Sequence, residues 1–181
     1  MLIILDRDGV INDDSDEYIK SPEEWLPIPG SLDAIARLHQ EGYQIVVVTN
    51  QSGLARGLFD MDTLNCIHAK MIEAVRHKGG DIDAIFFCPH GPDDGCYCRK
   101  PKTGLFVDIA DRLKINLAGI YAVGDSLRDI TAARAMHALP ILVRTGKGEK
   151  TLQQGEGIKD VPVFADLAAF TDHLLTKQRS V

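Results

Sequence analysis

Short apolar runs, each followed by a stretch of helical periodicity, constrain this chain more than any other feature. They are Leu2–Leu5, Gln44–Thr49, Ala84–Cys88, Gly119–Val123 and Leu139–Val143, with a shorter sixth near Pro162–Phe164. Several are apolar at nearly every position, and a strand of that kind needs cover on both faces, as in a parallel sheet. Between them lie amphipathic segments. Ser31 can cap a helix bearing Leu32, Ile35 and Leu38 that stops at Gly42. Asp60 or Asp62 can start one bearing Leu64, Ile67, Met71 and Val75 that ends at Gly79. Leu105, Ile109 and Leu113 form a third stripe, Leu127, Ile130 and Ala133 a fourth, and Leu167, Phe170 and Leu174 the last. Strict β-α alternation predicts an α/β fold, a doubly wound parallel sheet. At 181 residues the chain suits a single domain over 1–181. The absence of a long insertion after Gly9, or between the third and fourth strands, implies no separate cap domain.

Ligands of such sheets bind beyond the carboxyl ends of the strands, so those ends are where chemistry is expected. The first strand ends in Asp6-Arg7-Asp8-Gly9. Residues two apart in an extended segment point the same way, so Asp6 and Asp8 are expected to face one site and Arg7 to face away. Two close carboxylates suit a cation together with a proton-transfer group. The second strand ends in Thr49-Asn50-Gln51-Ser52-Gly53, whose hydroxyl and main-chain N–H groups can cradle phosphate oxygens. The fourth ends in Gly124-Asp125-Ser126-Leu127-Arg128-Asp129. Asp125 can join Asp6 in an oxygen-ligand set of the kind Mg²⁺ favours. Arg99-Lys100-Pro101-Lys102 places cations before the third crossover helix. Each segment alone also reads as a polar turn, a capped helix start or a solvated basic run. Their order on successive strand ends of one sheet makes them a site.

Asp6-x-Asp8 after an apolar strand, Thr49 after a second, Lys100 before a helix and Gly124-Asp125-x-x-x-Asp129 after a further strand resemble the four signature motifs of the haloacid dehalogenase superfamily. Leu5-Asp6-Arg7-Asp8-Gly9-Val10-Ile11-Asn12 and Cys98-Arg99-Lys100-Pro101 are similar to its histidinol-phosphatase-like branch. The resemblance implies a Rossmann-like core and a Mg²⁺-dependent phosphatase working through an aspartyl-phosphate. Asp6 would be the nucleophile and Asp8 the general acid and base. Mg²⁺ would be held by the Asp6 carboxylate, the Asp8 main-chain carbonyl and Asp125. Thr49, Asn50, Gln51 and Lys100 would bind substrate phosphate, and Asp129 would orient Lys100 or a metal-bound water. The expected substrate is a phosphorylated sugar, a seven-carbon bisphosphate that loses the phosphate on its terminal carbon while Arg56 and Arg99 hold the other. Histidinol phosphate is the alternative substrate. Two readings from other classes are a receiver-like phosphorylation module and a non-catalytic, zinc-stabilised interaction protein.

Cys88-x-His90-x5-Cys96-x-Cys98 gathers four soft or borderline ligands in one loop, 88–98. Three cysteines and one histidine make a closed tetrahedral Zn²⁺ set, hence a structural site. The alternative is reduced cysteines beside a surface histidine. His39, His68, His77, His137 and His173 fall in predicted helices as surface or packing residues, and Cys66 as a small core residue.

The formal charge of −6, with Lys and Arg scattered, excludes a nucleic-acid-binding surface, which needs clustered cations. No apolar run approaches the roughly 20 residues of a membrane span. The chain opens on Leu2-Ile3-Ile4-Leu5 without a basic leader, so a cytoplasmic, monomeric enzyme of a small-molecule substrate is the expectation.

Overall fold

A computed structural model describes residues 1–179. In chain order the elements are β1 (Leu2–Leu5), α1 (Ser31–Gln40), β2 (Gln44–Asn50), α2 (Met61–His77), β3 (Ala84–Cys88), α3 (Gly104–Leu113), β4 (Tyr121–Gly124), α4 (Leu127–Ala135), β5 (Leu139–Val143), α5 (Gly148–Gln154), β6 (Val163–Phe164) and α6 (Leu167–Arg179). All six strands are parallel, in the order β3-β2-β1-β4-β5-β6. A receiver module has the order 2-1-3-4-5. This sheet therefore excludes that reading.

Alternation along each strand divides the core. Ile3 and Leu5, with Ile45, Val47, Val123, Ile141 and Val143, face Ile35, Leu38, Ile67, Met71, Phe170 and Leu174 of α1, α2 and α6. Leu2 and Ile4, with Val46, Val48 and Ala122, face Leu105, Phe106, Ile109, Ala132 and Ala133 of α3 and α4. Each fully buried aliphatic side chain contributes about 1.5–3 kcal/mol relative to exposure. A charge placed anywhere in β1 would forfeit that contribution and be buried without a partner.

Three local expectations change. Ser31 does not cap α1: Gly30, at φ 84°, holds the N-cap position, and Ser31 Oγ donates to Ile11 and Ile28 carbonyls across the preceding loop. Cys66 is exposed, because the helical period that buries Leu64 and Ile67 turns residue 66 outward. His137 lies beyond α4 at positive φ rather than in a helix. Asp60, by contrast, caps α2 by accepting from Thr63 N at 2.8 Å. The segment 9–30 has no helix, yet Val10, Ile11, Ile19, Trp25 and Ile28 bury in the core and pin it against the sheet edge. No helix among the described residues is long and apolar enough to cross a membrane.

Candidate active site

β1 is the central junction of the sheet, pairing with β2 on one side and β4 on the other, so their carboxyl ends converge. Asp6 N donates to Val123 O at 2.9 Å, which sets Asp6 beside the end of β4 and hence beside Asp125. Carboxylate oxygens of Asp6, Asp125 and Asp129 all lie within 4.8 Å of one another. Gly9 makes this approach possible. It has φ 82°, and a Cβ there would sit 2.1 Å from Asp125 Oδ2.

One amine answers two of these three acids. Lys100 Nζ lies 3.0 Å from Asp6 Oδ1 and 2.7 Å from Asp129 Oδ1, and donates to Val48 O at 2.7 Å. Burial alone would lower the Lys100 pKa, but Asp129 and Asp6 outweigh it and hold the amine charged. Burial lifts Asp6 to about 7 against the pull of Lys100. Burial, then the Asp129 and Asp6 charges, lift Asp125 to about 8. Asp129 goes the other way: burial is overcome by Lys100 and Arg128, so it stays ionised. Its other oxygen accepts from Ser126 N at 3.0 Å and from Ser126 Oγ, tying it to the start of α4.

The arrangement leaves room for a divalent cation. Asp125 Oδ2 accepts from Lys147 N at 2.7 Å, while Asp125 Oδ1 is buried without a partner. A buried orphan carboxylate oxygen beside two further acids needs a proton or a cation. An oxygen-only donor set at the carboxyl edge suits Mg²⁺.

Asp8 shares a cleft with Asp6, as the spacing predicts; Arg7 is what departs from expectation. Arg7 does not face away; its buried guanidinium turns back, with Nε 3.1 Å and Nη2 3.0 Å from Asp8 Oδ1. Asn12 Nδ2 donates to Oδ1 at 2.9 Å and Gln51 Nε2 to Oδ2 at 2.9 Å. Burial would raise the Asp8 pKa, but Arg7 and these hydrogen bonds bring it down. Gln51 also donates to Thr49 Oγ1 at 2.8 Å, so it positions the two groups on either side of it. Asn50 spends its amide on Lys100, accepting from Lys100 N and donating to Lys100 O, each at 3.0 Å. It fixes the lysine rather than leaving its amide free for phosphate.

A cleft of about 200 Å³ opens above Asp6, lined by Asp8, Thr49, Asn50, Gln51, Arg99, Arg128, Lys147 and the 14–19 segment. Arg99 faces it, also donating to His90 O at 3.3 Å. Arg56 does not line it; its guanidinium stands over the Tyr18 ring at 5.8 Å. Arg128 and Lys147 were not singled out from sequence. Arg128 lies inside the Gly124–Asp129 motif, a visible signal, whereas Lys147 follows β5 in a loop without one. A larger hollow of about 820 Å³ lies at the opposite, amino-terminal edge of the sheet, away from these groups.

Beside the cleft, the sulfurs of Cys88, Cys96 and Cys98 and a ring nitrogen of His90 lie within 4.8 Å of each other. Cys88 Sγ is 3.2 Å from Cys98 Sγ and 3.7 Å from Cys96 Sγ, with no disulfide. The edge of a zinc–thiolate tetrahedron is about 3.8 Å, from a Zn–S bond of roughly 2.3 Å. Burial and the neighbouring thiols push Cys98 up to about 12, so its thiolate needs a cation.

Comparison with known proteins places the chain. The family model described as haloacid dehalogenase-like hydrolase matches residues 1–137. The chain belongs to the haloacid dehalogenase-like hydrolases. This hydrolase is 60% identical over 174 residues to the D-glycero-beta-D-manno-heptose-1,7-bisphosphate 7-phosphatase of Bordetella bronchiseptica, covering 96% of this chain and 97% of that protein. It is 53% identical to the enzyme of that name from Pseudomonas aeruginosa, over 96% and 97% of the two chains. It is also similar to the crystal structure of D,D-heptose 1,7-bisphosphate phosphatase from B. bronchiseptica complexed with magnesium and phosphate. There the TM-score is 0.95 at 59% identity, with 97% of this chain and 98% of that one covered.

Proposed function

We propose that this hydrolase removes the 7-phosphate of D-glycero-D-manno-heptose 1,7-bisphosphate through an aspartyl-phosphate on Asp6. The observation that carries the reading is Asp6 held 3.0 Å from Lys100 Nζ at the floor of a polar cleft, beside an unpartnered Asp125 oxygen. Identity to the heptose bisphosphate phosphatases over nearly the whole chain supports the substrate.

In the first step an Asp6 carboxylate oxygen attacks phosphorus, the bond to the sugar oxygen breaks, and Asp8 gives that oxygen its proton. Asp8 is a carboxylate in the free enzyme, and an anionic phosphate entering beside it raises its proton affinity. In the second step water attacks phosphorus, Asp8 takes the water's proton, phosphate departs and Asp6 is restored. Arg7, Asn12 and Gln51 hold Asp8 in place for both transfers. Lys100 and Thr49 face the charge that develops on the phosphoryl oxygens, where fixed donors contribute most. Mg²⁺, held by Asp6, the Asp8 main chain and Asp125, would supply charge neutralisation there. Asp129 anchors Lys100.

Cys88, His90, Cys96 and Cys98 hold a structural Zn²⁺ in this reading, fixing Arg99 and Lys100 just beyond the last ligand. The residues act as one domain, 1–181, without a cap, and the 14–19 segment closes the cleft instead. The enzyme acts as a monomer on a phosphorylated sugar. Four unpaired cysteines fit the cytoplasm. A turnover panel of heptose bisphosphate, histidinol phosphate and nucleotides, with Mg²⁺ and then EDTA, tests this. Heptose bisphosphate should lead by kcat/KM, only with Mg²⁺, and Asp6→Asn should lower turnover by several orders of magnitude. A better rate on histidinol phosphate would reassign the substrate; near-normal turnover by Asp6→Asn would remove the covalent step.

A further inference from the structure

The cleft contains more cations than hydrolysis at Asp6 uses, and most of them are already engaged. Lys100 is bound to Asp6, Asp129 and the Val48 carbonyl. Arg7 is bound to Asp8. Lys147 Nζ lies 3.0 Å from Asp14 and 3.7 Å from Asp16, and Arg99 reaches the His90 carbonyl. Arg56 stands outside, over Tyr18.

Arg128 differs from all of these. It sits in the first turn of α4 and lines the same cleft as Asp6. Its Nε is buried with no hydrogen-bond partner. Burial works against its charge, yet Asp129, Asp6 and Asp125 on one side and Asp14 on the other keep it firmly protonated. A guanidinium left largely desolvated and short of a hydrogen-bond partner is a costly arrangement, relieved by an anion that enters the cleft. Its planar fork matches a phosphate through paired hydrogen bonds, which a lysine ammonium cannot reproduce.

The reacting phosphate is already served by Lys100 at the floor. A bisphosphate brings a second anion into the same cleft, and Arg128 borders both the acids at the floor and Asp14 in the 14–19 segment. We infer that Arg128 is a substrate-binding residue that holds the non-reacting, anomeric phosphate, with its guanidinium on the cleft wall as the receiving group. Arg128 thus takes the place of Arg56 beside Arg99, the pair expected from sequence to hold the second phosphate. The inference rests on the bisphosphatase reading above.

The test compares kcat/KM for the heptose 1,7-bisphosphate and the heptose 7-phosphate in wild type, Arg128→Gln and Arg128→Lys, with thermal melts to verify folding. Wild type should prefer the bisphosphate. Arg128→Gln should lose about ten- to a hundredfold on the bisphosphate, chiefly through KM, and little on the monophosphate. Arg128→Lys should recover part of the loss, since it restores the charge without the fork. If Arg128→Gln melts early, the substrate ratio of Arg128→Lys is the readout. Equal losses on both substrates would put Arg128 at the reacting phosphate, and no loss on either would make it a bystander; both overturn the inference while leaving the enzyme a bisphosphatase. A wild type that hydrolyses neither sugar overturns the functional reading, and the inference with it.

Discussion

Lys100→Met separates the two roles of the buried amine. The substitution keeps length and apolar stem, so it leaves little void. What it removes is, among the described residues, the only cation within 3.0 Å of both Asp6 and Asp129, in a side chain 2% exposed. Removing one partner of a buried ion pair costs about 3–5 kcal/mol when the survivor stays charged. Here the survivors can escape by taking up protons. In the metal-free wild type Asp6 already titrates at about 7 and Asp125 at about 8. Lys100 is the largest influence lowering both Asp6 and Asp129, so its loss raises both. Carboxylates with folded pKa values above their unfolded ones contribute fully below the unfolded pKa, and that contribution is lost as pH rises through the folded value. In EDTA the destabilisation should therefore be about 3–5 kcal/mol at pH 8.5 and shrink to roughly 1–2 kcal/mol at pH 5. Urea unfolding followed by the buried Trp25 reads this directly. Turnover with saturating Mg²⁺ should fall about 10²–10³-fold, the cost of one fixed donor at the developing charge. A destabilisation independent of pH, or turnover within tenfold of wild type, would refute the electrostatic account.

Without metal, the protein in EDTA should melt lower as pH rises from 5 to 8.5, because burial raises Asp6 and Asp125 toward 7 and 8; Mg²⁺ should flatten that slope, and a melting point rising with pH would contradict it. Protein purified without added metal should contain one zinc per chain by elemental analysis, and Cys96→Ser should lose it and raise KM while Mg²⁺ dependence persists. Gly9→Ala forces a Cβ to 2.1 Å from Asp125 Oδ2 and should weaken Mg²⁺ activation by more than about tenfold, measured by metal titration. Unchanged Mg²⁺ activation there would mean that Asp125 is not where the cation binds.

Much of this was legible in the chain because the relevant signals are local. Apolar runs reported the strands to within a residue or two, with β2 extending to Asn50 and β4 running from Tyr121 to Gly124. The exception is α5, Gly148–Gln154, whose single large apolar residue, Leu152, gives no periodic stripe to read. Asp6, Lys100, Asp125 and Asp129 could be found because each follows a strand or enters a helix, and a parallel sheet brings such ends to one edge. The direction of Arg7 could not. Two-residue alternation holds in regular strand, and β1 ends at Leu5, so the chain beyond it is free to turn Arg7 back onto Asp8.

The sequence by itself determined the parallel α/β sheet, the edge at which the acids and the lysine meet, and the four-ligand loop, since strand hydrophobicity and ligand spacing are written within a few residues of each other. Only the tertiary structure decided which polar side chain serves which partner. Arg7 goes to Asp8, Asn50 to the Lys100 backbone and Arg56 to Tyr18, while Arg128 faces the cleft. Those pairings join groups up to fifty residues apart in sequence. Distance and burial set their strength, and neither is encoded until the strands have packed.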